Sequence, residues 1–117
     1  MSAAFVRTMI VVIGLGTSLA AAPPQAKPDE KVAKGQTVYG AQKCATCHSI
    51  AGKGNKANPL DGIGAKMSAD EIKQWIVNPT EMTAKTKSTK KPPMPAKWSK
   101  LPAEELDALV AYLASLK

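Results

Sequence analysis

The stretch CATCHSI, residues 44–50, contains both cysteines of this chain and its single histidine. Cys44, Cys47 and His48 are the side chains best suited to bind a metal or a cofactor, and they lie close together. Such a cluster has three main interpretations: a redox-active dithiol, a metal site, or the attachment point of a larger cofactor. The sequence around the cluster provides the evidence for choosing among these three interpretations.

The simpler interpretations each leave something unexplained. A thioredoxin-like C-x-x-C motif needs a βαβ context, and no strand pattern surrounds residues 44–47. A structural zinc ion takes four Cys or His ligands, whereas this chain offers only two cysteines and one histidine. A disulfide between Cys44 and Cys47 would close a very short loop, which stabilises little, and would leave His48 without a role.

The pattern C-x-x-C-H is the attachment signature of c-type haem. Thiols at this spacing can reach the two vinyl groups on one edge of a porphyrin, and the next side chain then projects under the ring. We therefore predict that Cys44 and Cys47 bind one haem c covalently. His48 becomes the proximal iron ligand through one ring nitrogen, while the other nitrogen donates to a backbone carbonyl.

The second axial ligand must come from elsewhere, because the chain has no other histidine. Met67, Met82 and Met94 are the candidates. Met94 is favoured, since Pro93 and Pro95 restrict its backbone to an extended conformation within an otherwise polar segment. Met67, Met82 or an open sixth position are the alternatives.

The N-terminus has the pattern of an export signal. Arg7 provides a basic start, residues 8–22 are uncharged and mostly apolar, and Ser18 and Ala20 are small residues of the kind that signal peptidase requires. We predict a signal peptide over residues 1–22, cleaved near Ala20 to Ala22, and a periplasmic location. A retained anchor helix is the alternative, although the apolar run is short for a bilayer span.

The chain is basic, with 16 Lys and Arg against 9 Asp and Glu. This excess favours acidic partner surfaces or membranes. Nucleic acid is a poor candidate partner, because the only arginine lies in the predicted signal peptide and no aromatic stacking pattern is present.

Helical patterns predict an all-α domain over residues 29–117, after a flexible lead-in at 23–28. The first helix runs from Asp29 to about Ala41, and Gly35 inside it indicates that another backbone passes close by. A capping box at residues 68–71 begins a second helix, which ends at 78–79. A third begins near Pro102, and apolar residues then recur at helical spacing to the C-terminus. The loops predicted at 49–66 and 81–100 are long for so small a domain unless a large group fills its centre.

On these motifs the chain resembles the class I cytochromes c, in particular the small exported bacterial proteins with one haem. The resemblance covers nearly the whole predicted mature chain. Its motifs are CATCH at 44–48, NPLDGIG at 58–64, WIVNP at 75–79, PPMP at 92–95 and DALVAYLASLK at 107–117. It implies a small cytochrome c-like fold, in which three to four helices and long loops wrap around one covalent haem and the N- and C-terminal helices cross. The residues that match the family's crossing contacts are Gly35, Tyr39, Leu109 and Tyr112.

Two departures from the family pattern affect the site. The family loop commonly has G-P-x-L-x-G, whereas here the proline is moved by one place, so either Asn58 or Pro59 supplies the carbonyl that accepts from His48. The aromatic residue that follows the family's methionine is here Trp98, whose packing against haem is left open. Trp75 is either a core residue or, as in many family members, a donor to a haem propionate.

The resemblance implies an electron carrier rather than an enzyme, a monomer that shuttles single electrons and takes no small-molecule substrate. A dedicated subunit of a periplasmic dehydrogenase, or a haem protein with an open sixth position that binds a small ligand, are the alternatives. Six lysines around Met94 predict a positive face for acidic-surfaced redox proteins such as a dehydrogenase, a reductase or a terminal oxidase. They are Lys85, Lys87, Lys90, Lys91, Lys97 and Lys100; an ordinary solvated loop is the other interpretation.

Overall fold

The computed structural model describes Gly16 and residues 27–117. The predicted signal peptide, apart from Gly16, and most of the lead-in at 23–28 lie outside the described residues. Helical segments dominate the described part, together with one pair of two-residue antiparallel strands. The elements in chain order are α1 (Pro28–Ala41), a 3-10 helix (Cys44–Thr46), β1 (Ser49–Ile50), β2 (Lys53–Gly54), α2 (Ile63–Lys66), α3 (Ala69–Val77), α4 (Pro79–Thr86), a second 3-10 helix (Ala96–Lys100) and α5 (Ala103–Ala114).

The predicted helix starts are confirmed. Asp29 and Glu30 occupy the first turn of α1, where carboxylates stabilise the exposed N–H groups of the helix. The hydroxyl of Ser68 accepts from the Glu71 N–H at 3.2 Å, and the Glu71 carboxylate accepts from the Ser68 N–H at 2.9 Å. This reciprocal capping box begins α3, as its sequence pattern predicts.

The loop predictions for 49–66 and 81–100 were only partly right. Helix α3 ends at Val77 as predicted, but Pro79 is then the first residue of α4, whose eight residues include part of the segment expected to be irregular. Proline is favoured at the first helical position because its missing N–H would have no helical partner there. The first loop likewise contains β1, β2 and the single turn of α2.

The crossing of α1 and α5 organises the domain and confirms the close approach predicted at Gly35. A Cβ atom at Gly35 would collide with the backbone carbonyl of Ala108, so only glycine permits this separation of the helices. The Tyr39 and Tyr112 rings meet edge to face, with centroids 5.8 Å apart. A second close approach involves Gly64 of α2, whose N–H donates to the Leu116 carbonyl at 2.7 Å.

The core lies between α1, α3, α5 and the second 3-10 helix. It is made of the buried apolar and aromatic residues Val38, Tyr39, Ile72, Ile76, Trp98, Leu106, Leu109, Val110 and Leu113. Cys44 of the CATCH segment and Met94 pack against this core, although neither belongs to the helices that form it. Among residues 27–117 no helix is long and apolar enough to cross a membrane.

Candidate haem site

A cavity of about 330 Å³ opens beside the core, and the CATCH segment forms part of its wall. Its volume falls within the range of roughly 300–1,000 Å³ typical of ligand and cofactor pockets. Most of the lining is apolar, contributed by α3, α5 and the segment before α2. Two thiols, an imidazole and a thioether line this one cavity, and the thioether comes from a distant part of the sequence. They belong to Cys44, Cys47, His48 and Met94.

The local fold of CATCH places both thiols toward the cavity. Lys43 adopts a left-handed conformation with φ 57°, which ends α1 and turns the chain into the 3-10 helix. The Cys44 carbonyl then accepts from the N–H groups of Cys47 and His48, at 3.1 and 3.0 Å. Both thiols are free and half-buried, and burial raises the pKa of Cys44. The thiols are therefore held on one tight turn, side by side with the imidazole.

The orientation of His48 is set by the backbone at Asn58. Nδ1 of His48 lies 3.2 Å from the Asn58 carbonyl, which also accepts from the Ser49 N–H at 3.2 Å. The sequence left Asn58 and Pro59 as candidates for the carbonyl that accepts from His48, and in the structure it is that of Asn58. Since a carbonyl can only accept, Nδ1 carries the proton and the Nε2 lone pair is left available to a metal.

Burial also favours the neutral form of this histidine. The pKa of His48 is lowered, mainly because burial disfavours the charged ring, and the Asn58 carbonyl opposes this in part. A neutral imidazole with its proton fixed on Nδ1 is the form that ligates a metal. The charge and the tautomer of the His48 ring are therefore both those that a metal ligand needs.

The small hairpin β1–β2 supports CATCH from behind, a contact that sequence reasoning missed. The Asn55 N–H lies 2.9 Å from the His48 carbonyl and 3.0 Å from that of Ala45. Gly54 has φ 105°, and a Cβ atom there would collide with the His48 carbonyl. The concentration of glycines at 52–54 was the available signal, but it does not show which backbone approaches.

Two of the three candidate methionines reach the cavity. Met94 is half-buried, packs against the core and lines the cavity together with His48. Met67 lines it as well, whereas Met82, on α4, is not among the lining residues. Position therefore disfavours Met82 as a ligand and leaves Met94 and Met67 within the site.

Both tryptophans line the cavity but differ in their indole N–H groups. Trp98 is buried and donates to the Gln42 side chain at 3.2 Å, while the Lys97 ammonium lies 4.6 Å from the centroid of its ring. Trp98 is therefore a wall residue with its donor already used. Trp75 is half-buried in α3 and presents part of its ring to the cavity.

Tyr39 brings a buried hydroxyl to the same region. Within residues 27–117 this hydroxyl has no hydrogen-bond partner, and burial is the main reason that the pKa of Tyr39 rises to about 12. An unpartnered buried polar group typically costs about 1–3 kcal/mol. A cofactor bound beside Tyr39 would explain why the protein tolerates this cost.

These features fit a covalent haem c. Two thiols and a neutral imidazole occur on one turn, a thioether lies in the same cavity, and the rest of the wall is mainly apolar. Soft sulfur and imidazole donors suit haem iron, and an apolar wall suits the porphyrin faces.

The six predicted lysines are all exposed. Lys90 also lines the cavity, and its ammonium donates to the Ala57 carbonyl at 3.3 Å. Lys43, which was not predicted, lines the cavity next to Cys44. The charge of Lys97 acts on the Cys44 thiol, where it opposes the larger effect of burial on the pKa.

Comparison with known proteins agrees with this site. The family model described as cytochrome c matches residues 32–117, which include the CATCH turn, the cavity, most of α1 and all of α5. Neither the comparison with curated proteins nor that with solved structures gave a match. The family match covers most of the chain, and the chain therefore belongs to the cytochrome c family.

Proposed function

We propose that this protein is an exported, periplasmic electron carrier with one covalent haem c, ligated by His48 and Met94. The observation that carries the proposal is the convergence of Cys44, Cys47, His48 and Met94 on one cavity. Members of the cytochrome c family are typically electron carriers, which accounts for the class of activity. The two ligands and the location are the specific content of the proposal.

Each residue of the site has a separate task. Cys44 and Cys47 would hold haem through thioether bonds, and the bound group supplies a one-electron Fe(III)/Fe(II) couple. The Asn58 carbonyl fixes the His48 ring with its proton on Nδ1, so that Nε2 can serve as a ligand in both oxidation states. A ligand that keeps its orientation in both oxidation states keeps the reorganisation energy of electron transfer small.

Met94 is suited to the opposite axial position. Its neighbours Pro93 and Pro95 restrict the loop, and its side chain already packs against the core, so that little ordering is required on ligation. A thioether ligand stabilises the reduced iron relative to a second imidazole. If His48 and Met94 both ligate the iron, no coordination position would be left for a substrate, as expected for a carrier.

The exposed lysines support an acidic redox partner. Lys43, Lys90 and Lys97 lie closest to the site, because two line the cavity and the third acts on Cys44. Charge complementarity speeds encounter without requiring a tight complex, which suits rapid electron exchange. We expect the second-order rate of electron exchange with an acidic redox protein to fall as ionic strength rises. A rate that does not depend on salt would contradict this docking mode.

Optical spectroscopy tests the axial ligands. The ferric wild-type protein should show the weak near-infrared charge-transfer band of methionine ligation, and the ferrous protein should bind carbon monoxide poorly. Met94→Ala should abolish the band and admit carbon monoxide. Met67→Ala and Met82→Ala are the matched controls and should keep the band. A band that survives in Met94→Ala, or rapid carbon monoxide binding by the wild type, would overturn the ligand assignment.

A further inference from the structure

Away from the CATCH turn and Asn58, one polar stretch of the cavity wall comes from a single segment of the chain. Thr83, Ser88 and Lys90 line the cavity from α4 and the loop after it, whereas α3, α5 and the loop before α2 line it mainly with apolar side chains. The Lys90 N–H also lies 3.4 Å from the Ser88 hydroxyl. A ligand with one charged edge would place that edge here, since an apolar wall cannot compensate for the lost hydration of a charge.

Lys90 also joins the two sides of the site. It precedes Met94 in the same loop, and its ammonium donates to the Ala57 carbonyl at 3.3 Å, across 33 residues of sequence. Ala57 adjoins Asn58, which orients His48. A planar group held between His48 and Met94 would separate these two segments. Because Lys90 contacts Ala57 on the far side, its side chain would then lie at the rim of that group.

The other lysine that lines the cavity belongs to the CATCH side. Lys43 directly precedes Cys44, so it is tied to the edge where the cysteines bond to the former vinyl groups. In haem the two propionates project from the side of the ring opposite the vinyl groups. Lys90 comes from a different segment of the wall, so it is the lining lysine that is not tied to the cysteine edge.

We propose that the Lys90 ammonium binds a haem propionate at the rim of the cavity, an inference that rests on the proposed function. An ammonium has three donors, of which the Ala57 carbonyl takes one, so two remain for a carboxylate. The same side chain thus links the methionine loop, the histidine loop and the cofactor. By compensating the propionate charge, Lys90 disfavours the ferric state and raises the reduction potential.

The test compares Lys90→Gln with Lys91→Gln in the intact haem protein. Both lysines are exposed and both variants remove one positive charge, but Lys91 is not among the residues that line the cavity. We expect Lys90→Gln to shift the propionate bending band in resonance Raman spectra and to lower the reduction potential. Lys91→Gln should leave the band in place and change the potential less. Lys90→Arg, which keeps a cation, should restore both values most of the way to wild type.

Two results would overturn the assignment. Equal potentials and unchanged Raman bands in the two glutamine variants would mean that Lys90 does not contact a propionate. If Lys90→Gln lowers thermal stability but changes neither the Raman band nor the reduction potential, Lys90 acts only through its hydrogen bond to Ala57. Wild-type protein without haem would instead contradict the proposed function, which makes the two failures distinguishable.

Discussion

The two sides of the cavity are built differently. On the histidine side, backbone hydrogen bonds connect the CATCH turn to the hairpin and to the strand-like segment at 58–60, with Ser49 and Leu60 joined at 2.8 Å. On the methionine side, the loop at 87–95 contains three prolines. Its first two residues bond back to the end of α4, and the rest is tied to the described structure by Met94 packing and by Lys90. The first side is held by backbone pairing, and the second by restricted chain geometry and side chains.

This difference predicts how the two halves respond to change. Backbone pairing around His48 fixes the proposed proximal ligand before any cofactor is bound, so damage there should affect the attachment of haem itself. The methionine loop has fewer fixed contacts, so damage there should affect ligation while leaving the attached haem in place. Regions held by few contacts are the ones that open first under native conditions.

Loss of either proposed axial ligand should therefore have unequal consequences. His48→Ala should abolish most of the folded haem protein, because the CATCH turn would lose the group proposed to anchor the iron to it. Met94→Ala should retain covalent haem and the helical fold, with only a lower thermal midpoint. Haem content and circular dichroism of the two variants measure this directly. Comparable haem loss in both would mean that the two sides are equally important for assembly.

The hairpin behind CATCH can be tested with two glycines that share a conformational constraint. Gly52 and Gly54 both have positive φ, but only at Gly54 would a Cβ atom meet the His48 carbonyl. Gly52→Ala should cost about 1–2 kcal/mol from backbone conformation alone. Gly54→Ala should cost about 2–5 kcal/mol, because displacement of neighbouring backbone is added to the strain. Denaturant unfolding of the haem protein would measure both, and equal costs would show that the hairpin does not brace His48.

The prolines beside Met94 should have a smaller and more local effect. Replacing Pro93 and Pro95 together by alanine should lower stability by about 0.4–1 kcal/mol per proline, because the unfolded chain gains freedom. It should also weaken the near-infrared band on warming, since the loop then holds Met94 less firmly. Pro102→Ala, at the start of α5, is the control and should leave the band unchanged. A band with unaltered temperature dependence in the double variant would show that proline restriction does not position Met94.

The smallest effect is expected at the helix crossing, away from both sides of the cavity. The Lys34 ammonium donates to Glu104 and lowers the pKa of that carboxyl, first through the hydrogen bond and then through its charge. A lowered carboxyl pKa contributes stability above the unfolded pKa, and this contribution is lost as pH falls through the folded pKa. Lys34→Gln should therefore lower Tm slightly at neutral pH, and the difference from wild type should vanish in acid. Lys31→Gln, on the same helix, serves as the control, and a pH-independent difference for Lys34→Gln would contradict the assignment.

Sequence predicted the features whose cause is local or covalent. Cys44, Cys47 and His48 were recognisable because their chemistry and spacing have few other uses, and the capping box at Ser68 acts within one helical turn. Gly35 was predicted to meet another backbone, because a glycine inside a helix has a cost that needs a reason. The partner, Ala108 on α5, needed the structure.

The remaining features depend on how distant segments pair. Pro79 was correctly predicted to end α3, but proline also begins helices, and only the fold showed that α4 starts there. The choice of Asn58 over Pro59 depends on the register between residues 49 and 58–60, which no local pattern specifies. The contact of Lys90 with Ala57 is likewise invisible in sequence, since a lysine in a polar loop has no distinguishing pattern.

The mass of the protein under denaturing conditions tests the central claim most directly. We predict the mass of the chain cleaved near Ala20 to Ala22 plus one haem, which remains attached because thioether bonds survive unfolding. The Cys44→Ala/Cys47→Ala double variant should show the cleaved chain alone. A wild-type mass without haem, or haem lost on denaturation, would contradict covalent attachment at CATCH and with it the proposed electron carrier.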